Sequence, residues 1–244
     1  MRAMNLLLLD PQEWPAGTDR ALLRLTGRRA DHIRTVLKAA PGDSVRIGVL
    51  DGLTGLARVE DLSAREVVLD AVLDTPPPPP LPLTLLLALP RPKVLRRVLQ
   101  AATSLGIKQI HLLNSYRVEK SYWQTPFLQP DSIHQQLRLG LEQARDTIVP
   151  HVHIHTRFKP FVEDELPALA AGKCCLVAHP LPESQSCPAM LTEPTVLAVG
   201  PEGGFIPYEV EKLQQAGFTA ITLGPRILKV ETAIPALVAR LFFP

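Results

Sequence analysis

Five consecutive prolines, Pro76 to Pro80, followed at once by Pro82, divide this chain. Proline has a fixed φ and no backbone N–H, so such a run is stiff and extended and cannot lie inside a sheet. The domain boundary is expected there. The expected domains are 1–75 and 83–244, with 76–82 as linker. The 244 residues, 46% hydrophobic and 20% charged, are enough for one large or two small globular domains.

The two sides differ in pattern. Before the prolines, Asn5–Leu9, Ser44–Leu50, Thr54–Glu60 and Glu66–Leu73 read as short strands rich in Val, Leu and Ile. Pro41-Gly42-Asp43 and Asp51-Gly52 supply turns between them. Arg28–Lys38 reads as a helix with Ile33, Val36 and Leu37 on its buried side. The expected result is a small β-barrel with one helix. After the prolines, strands at Leu83–Leu89, Ile107–Leu113, His151–His155, Cys174–Ala178, Thr195–Gly200 and Thr219–Leu223 alternate with helices at Lys93–Leu105, Ile133–Arg145, Phe161–Ala171, Pro207–Ala216 and Thr232–Phe243. Pro235 would fall in the first turn of the last helix, where its missing N–H is harmless. Alternation of this kind predicts an α/β fold with a parallel sheet covered on both faces.

The net charge of +2 says little, but its distribution says more. Arg20, Arg24, Arg28, Arg29, Arg34 and Lys38 stand against Asp31 alone. Arg91, Lys93, Arg96, Arg97 and Lys108 stand against no acid. Clusters of one sign suit a polyanion, and they also suit solvated helix faces. Tyr116, Tyr122, Trp123 and Phe127 interleave with Arg117 and Lys120, a pattern that can stack an unpaired base or pack on a partner. Cys174, Cys175 and Cys187 have neither disulfide nor zinc spacing and read as thiols in a reducing compartment. The N-terminus lacks a signal-peptide core, and no stretch reaches membrane-spanning length, so a cytoplasmic location is expected. His151, His153 and His155 share one face of a strand, but no carboxylate stands at close spacing and no metal is expected.

Two segments carry the chemistry. Gly200-Pro201-Glu202-Gly203-Gly204-Phe205 follows the apolar strand Thr195–Val199. Leu223-Gly224-Pro225-Arg226-Ile227-Leu228 begins at the end of the strand Thr219–Leu223 and leads into Glu231-Thr232. Each is a strand that breaks into a tight turn before a helix, so backbone groups can touch a ligand. The first turn lacks the Lys-Ser/Thr of a phosphate loop and the spacing of a dinucleotide fold. Glu202 at its centre would repel an anion and tolerate a cation. From these residues alone, an anion site, a structural turn and a site for another cofactor all stay open.

The pair of turns resembles the cofactor site of SPOUT-superfamily RNA methyltransferases. It is most similar to the ribosomal RNA small subunit methyltransferase E family, which methylates N3 of a uridine. Asp31–Lys38 followed by Pro41-Gly42-Asp43 likewise resembles the PUA-like RNA-binding domain at the front of that family. The resemblance implies a C-terminal domain tied in a trefoil knot, a homodimer, and S-adenosyl-L-methionine as cofactor. It implies cofactor contacts from His179, Gly200, Pro201, Glu202, Gly203, Gly204, Leu223, Gly224, Ile227, Leu228 and Thr232, largely through backbone atoms. It makes Arg28, Arg29, His32, Arg34, Lys38, Lys93 and Arg97 RNA-facing, with ribosomal RNA or the small ribosomal subunit as partner. Removing the uridine N3 proton leaves charge between two carbonyls, and Arg226 is the candidate donor for it. Arg226 could instead pair with Glu202 or Glu231 to hold the loops, and Thr232 could simply cap the last helix.

The chain departs from the family in two places. Gln100-Ala101-Ala102-Thr103-Ser104-Leu105-Gly106 lacks a Lys and a Glu usual there. Asp146 stands where an Arg is usual, with Arg145 one place early, and one helix step rotates a side chain by about 100°. These changes bear on the RNA target. The rival expectations are the same chemistry on another nucleotide and a catalytically silent ribosome-binding protein.

Overall fold

The structure, a computed structural model, describes residues 6–180 and 184–244. Asn5, expected to open the first strand, and the N-terminal residues before it lie outside the described residues. The chain divides into two compact units, Met1–Pro79 with Arg138–Val149, and Pro80–Leu137 with Pro150–Pro244. The sequence expectation had placed 138–149 in the second of these.

The first unit holds β1 (Leu7–Leu9), β2 (Arg20–Leu25), α1 (Gly27–Thr35), β3 (Ser44–Val49), β4 (Thr54–Leu62) and β5 (Val67–Thr75). They form one curled sheet in the order β1-β3-β4-β5-β2. Only β1 and β3 run parallel. Strand β2 was not anticipated, because its arginines read as part of a helix face. It alternates strictly, burying Ala21, Leu23 and Leu25. Its outward arginines cross to the neighbouring strand end, Arg20 Nε donating to Asp70 (2.9 Å) and Arg24 Nη1 to Glu66 (2.8 Å). Helix α1 stops at Thr35, three residues short of its expected end. Leu37 N–H donates to the His32 carbonyl and Lys38 turns left-handed (φ 52°), so Leu37 is exposed rather than buried.

The C-terminal half of α3 (Pro130–Ala144) belongs to this unit through specific contacts. Arg138 Nη1 donates to Asp10 (2.9 Å), and the Val149 amide to Asp51 (2.8 Å). Leu141 packs with Leu6, Leu8 and Leu50. The sequence could not show this, since a helix reads the same whichever body it serves.

The second unit is a seven-stranded, wholly parallel sheet. Its strands are β6 (Leu83–Ala88), β7 (Gln109–Leu113), β8 (His151–His155), β9 (Cys174–Ala178), β10 (Gln185–Ser186), β11 (Thr195–Val199) and β12 (Thr219–Thr222). The order is β10-β12-β9-β11-β6-β7-β8. The chain builds outward from β6 to β8, crosses to β9, then returns to insert β11 beside β6. Helix α2 (Pro92–Ser104) buries Leu95, Val98, Leu99 and Ala102 of the stripe its periodicity predicts, while Val94 and Leu105 at the stripe's two ends are half-buried. Helices α4 (Phe158–Pro160) and α5 (Leu166–Ala170) are joined by one π-helical stretch, Phe161–Glu165. Helix α6 spans Pro207–Gln215 and α7 spans Val230–Phe242, packed on α2. Because α7 starts two residues earlier than expected, Pro235 lies inside it rather than in its first turn.

Candidate active site

Parallel sheets place ligands outside the carboxyl ends of their strands, where the strand order reverses. Here the ends of β9, β11 and β12 enclose a cleft of about 270 Å³. Its walls are the ends of these strands and the chain leaving them: Ala178–Pro180, Val199–Gly204, Ile221–Leu223 and Arg226–Leu228. Val230, Ala233 and Leu237 of α7 close its floor. Of the residues implicated by sequence, His179, Gly200, Pro201, Glu202, Gly203, Gly204, Leu223, Arg226, Ile227 and Leu228 line it together. Gly224 and Thr232 do not. The expected capping role of Thr232 is also displaced, because the helix begins at Val230 and Lys229 is its N-cap. Ala178, Val199, Ile221 and Leu237 were missed. They were legible only as apolar core, and nothing in a sequence says which core residue ends at an opening.

The first turn is shaped by close backbone approach. A Cβ on Gly200 would lie 2.9 Å from the Phe205 amide and 3.1 Å from Gly204 backbone atoms. Gly204 is left-handed (φ 71°) with open space where its Cβ would be. Gly203 differs. A Cβ there would meet the Arg117 side chain at 3.0 Å, and the Arg117 guanidinium donates to the Gly203 carbonyl.

Glu202 does not present a free carboxylate. Its Oε1 accepts the Arg91 amide (3.0 Å), tying the loop after β6 to the turn after β11. Glu209, buried in α6, reaches further. One of its oxygens accepts the Ile206 amide (3.0 Å) and the other the Tyr116 amide (2.7 Å). The loops after β6, β7 and β11 are thus bonded into one rim. Of the four aromatics beyond β7, Trp123 donates to Asn114 (2.9 Å), Phe127 lies under Arg96 and Tyr122 bonds Glu119 (3.0 Å). Tyr116 alone is fully displayed.

The second turn is held by Thr222, whose hydroxyl donates to the Gly224 carbonyl (2.9 Å) and accepts its amide (3.1 Å). Arg226 follows, exposed at the cleft. Among the described residues it forms no ion pair, with Glu202 or Glu231 or any other acid. Ile227, beside it, is 85% exposed.

Elsewhere the charges sort differently from their expectation. Arg29 is ion-paired to Glu13 on two sides. Arg34 bonds Asp31 and the Ser63 carbonyl (2.6 Å). Arg28, Lys38, Lys93 and Arg97 are exposed. At the far edge of the second sheet, His111 stacks on His153 and its Nδ1 meets His155 Nε2 at 3.0 Å. Burial first, then the neighbouring histidines, push His111 down to about 4. Among the described residues no group of three or more such side chains could hold a metal, and no helix is long and apolar enough to cross a membrane. Burial holds the Cys187 thiol up at about 11, so it is not a nucleophile at neutral pH.

A parallel sheet whose strand ends wrap an apolar cleft in two glycine turns defines a class, and residues 77–242 match the model of that class, the RNA methyltransferase domain. The chain belongs to this family, and within it to the ribosomal RNA small subunit methyltransferase E proteins. The one from Treponema pallidum is 31% identical over 242 residues, 97% of this chain and 90% of its own length. A putative methyltransferase from Legionella pneumophila, solved with the bound cofactor SAM, is 25% identical with a TM-score of 0.68, covering 98% of each chain. The SAM-bound ribosomal RNA small subunit methyltransferase E of Neisseria gonorrhoeae superposes at a TM-score of 0.70 over 97% of this chain and 95% of its own, at 21% identity.

Proposed function

We propose that this protein transfers a methyl group from S-adenosylmethionine to N3 of a uridine in small-subunit ribosomal RNA. The observation that carries the reading is the cleft itself. It joins aliphatic walls, which suit an adenosyl group, to two glycine turns that expose backbone donors and acceptors. Glu202, bonded to a backbone amide, does not oppose a cationic ligand. When bound, the cofactor supplies a methyl group on a sulfonium and needs no metal.

His179 and the turns Gly200–Gly204 and Leu223–Leu228 hold the cofactor. Arg226 is exposed at the opening and, among the described residues, in no ion pair, so its guanidinium is available to the uracil carbonyls. There it stabilises the charge left when the N3 proton departs. Arg28, Lys38, Lys93 and Arg97 contact RNA, while Arg29 and Arg34 spend their charge inside the first unit. We read that unit as PUA-like and the second as knotted, with β11 inserted between β9 and β6 as its support. Leu223, Ile227 and Leu228, all exposed along one turn, suit a homodimer whose partner covers this rim. A cytoplasmic location follows from the substrate.

The test is transfer of labelled methyl from S-adenosylmethionine to small ribosomal subunits that lack the modification. One methyl per subunit is expected. Arg226→Ala should keep cofactor affinity and slow single-turnover transfer by about 100- to 1,000-fold, with Arg226→Lys recovering part. A wild-type protein that binds cofactor and transfers nothing supports the silent ribosome-binding alternative. If Arg226→Ala loses cofactor binding instead, the arginine is a structural clamp.

A further inference from the structure

The first unit carries two adjoining clefts, of about 400 Å³ and about 600 Å³, which share Ser44, Arg46 and Arg145. Neither arginine forms an ion pair among the described residues. This sets them apart from four of the arginines in the first basic cluster, since Arg20, Arg24, Arg29 and Arg34 all engage an acid. The acids at the clefts are already engaged. Asp70 holds Arg20, Asp43 accepts the Ala40 amide (2.8 Å), and Asp74 accepts the Thr75 hydroxyl (2.7 Å). Arg58, on the larger cleft, lies 3.8 Å from Glu60.

The backbone gives an independent sign. Arg145 follows the last turn of α3 in the left-handed conformation, φ 58°. That position at a helix end is ordinarily a glycine, because a Cβ makes it costly. Lys38 occupies the same conformation beyond α1, between Leu37 and Ala39, which line the smaller cleft. Two cations thus sit where glycine would be the stable choice, both beside one groove. Strain kept at a long charged side chain points to use of that side chain. The neighbouring Asp146 is buried and accepts the Ile148 amide (2.9 Å), so the step from 145 to 146 turns the arginine outward.

We propose that the groove at Arg46 and Arg145 is a phosphate-binding track for the RNA backbone, with Lys38 at its edge. It rests on the reading of RNA as substrate and locates a contact that the helix α1 cluster was expected to make. Guanidinium groups without protein partners offer forked donors to phosphate oxygens.

The test pairs stability with binding. Arg145→Gly relieves the left-handed strain, so its melting temperature should equal or exceed that of wild type. Its affinity for a labelled hairpin of small-subunit ribosomal RNA should fall by about tenfold. The slope of log affinity against log salt should lose about 0.7 to 0.9 for each phosphate contact removed. Arg46→Ala should weaken binding likewise, and Arg24→Ala should not. If Arg145→Gly binds the hairpin with wild-type affinity and slope, or if it melts lower, the groove is not an RNA track. An effect confined to assembled subunits, with none on naked RNA, would also overturn it and point to a protein partner. Wild-type methylation of the subunits is measured alongside. Its absence would defeat the functional reading, whereas its presence with an unaffected Arg145→Gly defeats only the groove.

Discussion

At the scale of single residues, the glycines of the first turn are not equivalent. Gly200 is pressed against backbone, and backbone cannot step aside without reshaping the turn. Gly203 is pressed against the aliphatic stem of Arg117, a side chain that can move. Gly200→Ala should therefore cost about 1–3 kcal/mol of cofactor binding, or about 5- to 150-fold in affinity. Gly203→Ala should displace Arg117 and leave the affinity within a few-fold. Calorimetric titration with S-adenosylmethionine separates them. Equal losses would mean that the cleft is shaped by something other than the close approach at Gly200. The pattern Gly-Pro-Glu-Gly-Gly announces a tight turn, but it does not say which glycine is irreplaceable. That depends on Phe205 and Arg117, one five residues away and the other 86.

At the scale of elements, legibility followed local pattern. Helix α2 was readable because its apolar residues recur at helical spacing and Gly106 ends it. The parallel strands were readable as apolar runs. Strand β2 was hidden by arginines whose partners, Asp70 and Glu66, lie 50 and 42 residues away. Strand β10 has two residues, too few for any period. The three strand histidines alternated as expected, yet the chemistry lies with His111 of the neighbouring strand, paired with His153 in register. That contact yields a prediction. His111 is buried beside His153 and His155, and its folded value of about 4 lies below the ordinary 6.5, chiefly through burial and then the charge of those histidines. The unfolded chain binds more protons between those values, so stability is full above pH 6.5 and is lost as pH falls toward 4. One pKa unit corresponds to about 1.4 kcal/mol, so the loss is on the order of 3 kcal/mol. His111→Phe keeps a stacking ring without the titration. Urea midpoints measured across this window should decline for wild type and stay nearly level for the variant. Parallel declines would place the acid sensitivity elsewhere.

At the scale of the whole molecule, the proline run marks the end of the first body, as its stiffness requires. It does not mark all of it, because Arg138–Val149 returns to the first unit after the second has begun. Arg138 and Leu141 make that return specific, and neither carries a signature of its role. In the proposed function the second body holds the cofactor and both contact RNA. The most direct measurement is mass spectrometry of nucleosides from small-subunit ribosomal RNA of a strain lacking this gene. One N3-methyluridine should be missing there and should return with the wild-type gene but not with Arg226→Ala. An unchanged N3-methyluridine content in the deletion strain would contradict the proposed function.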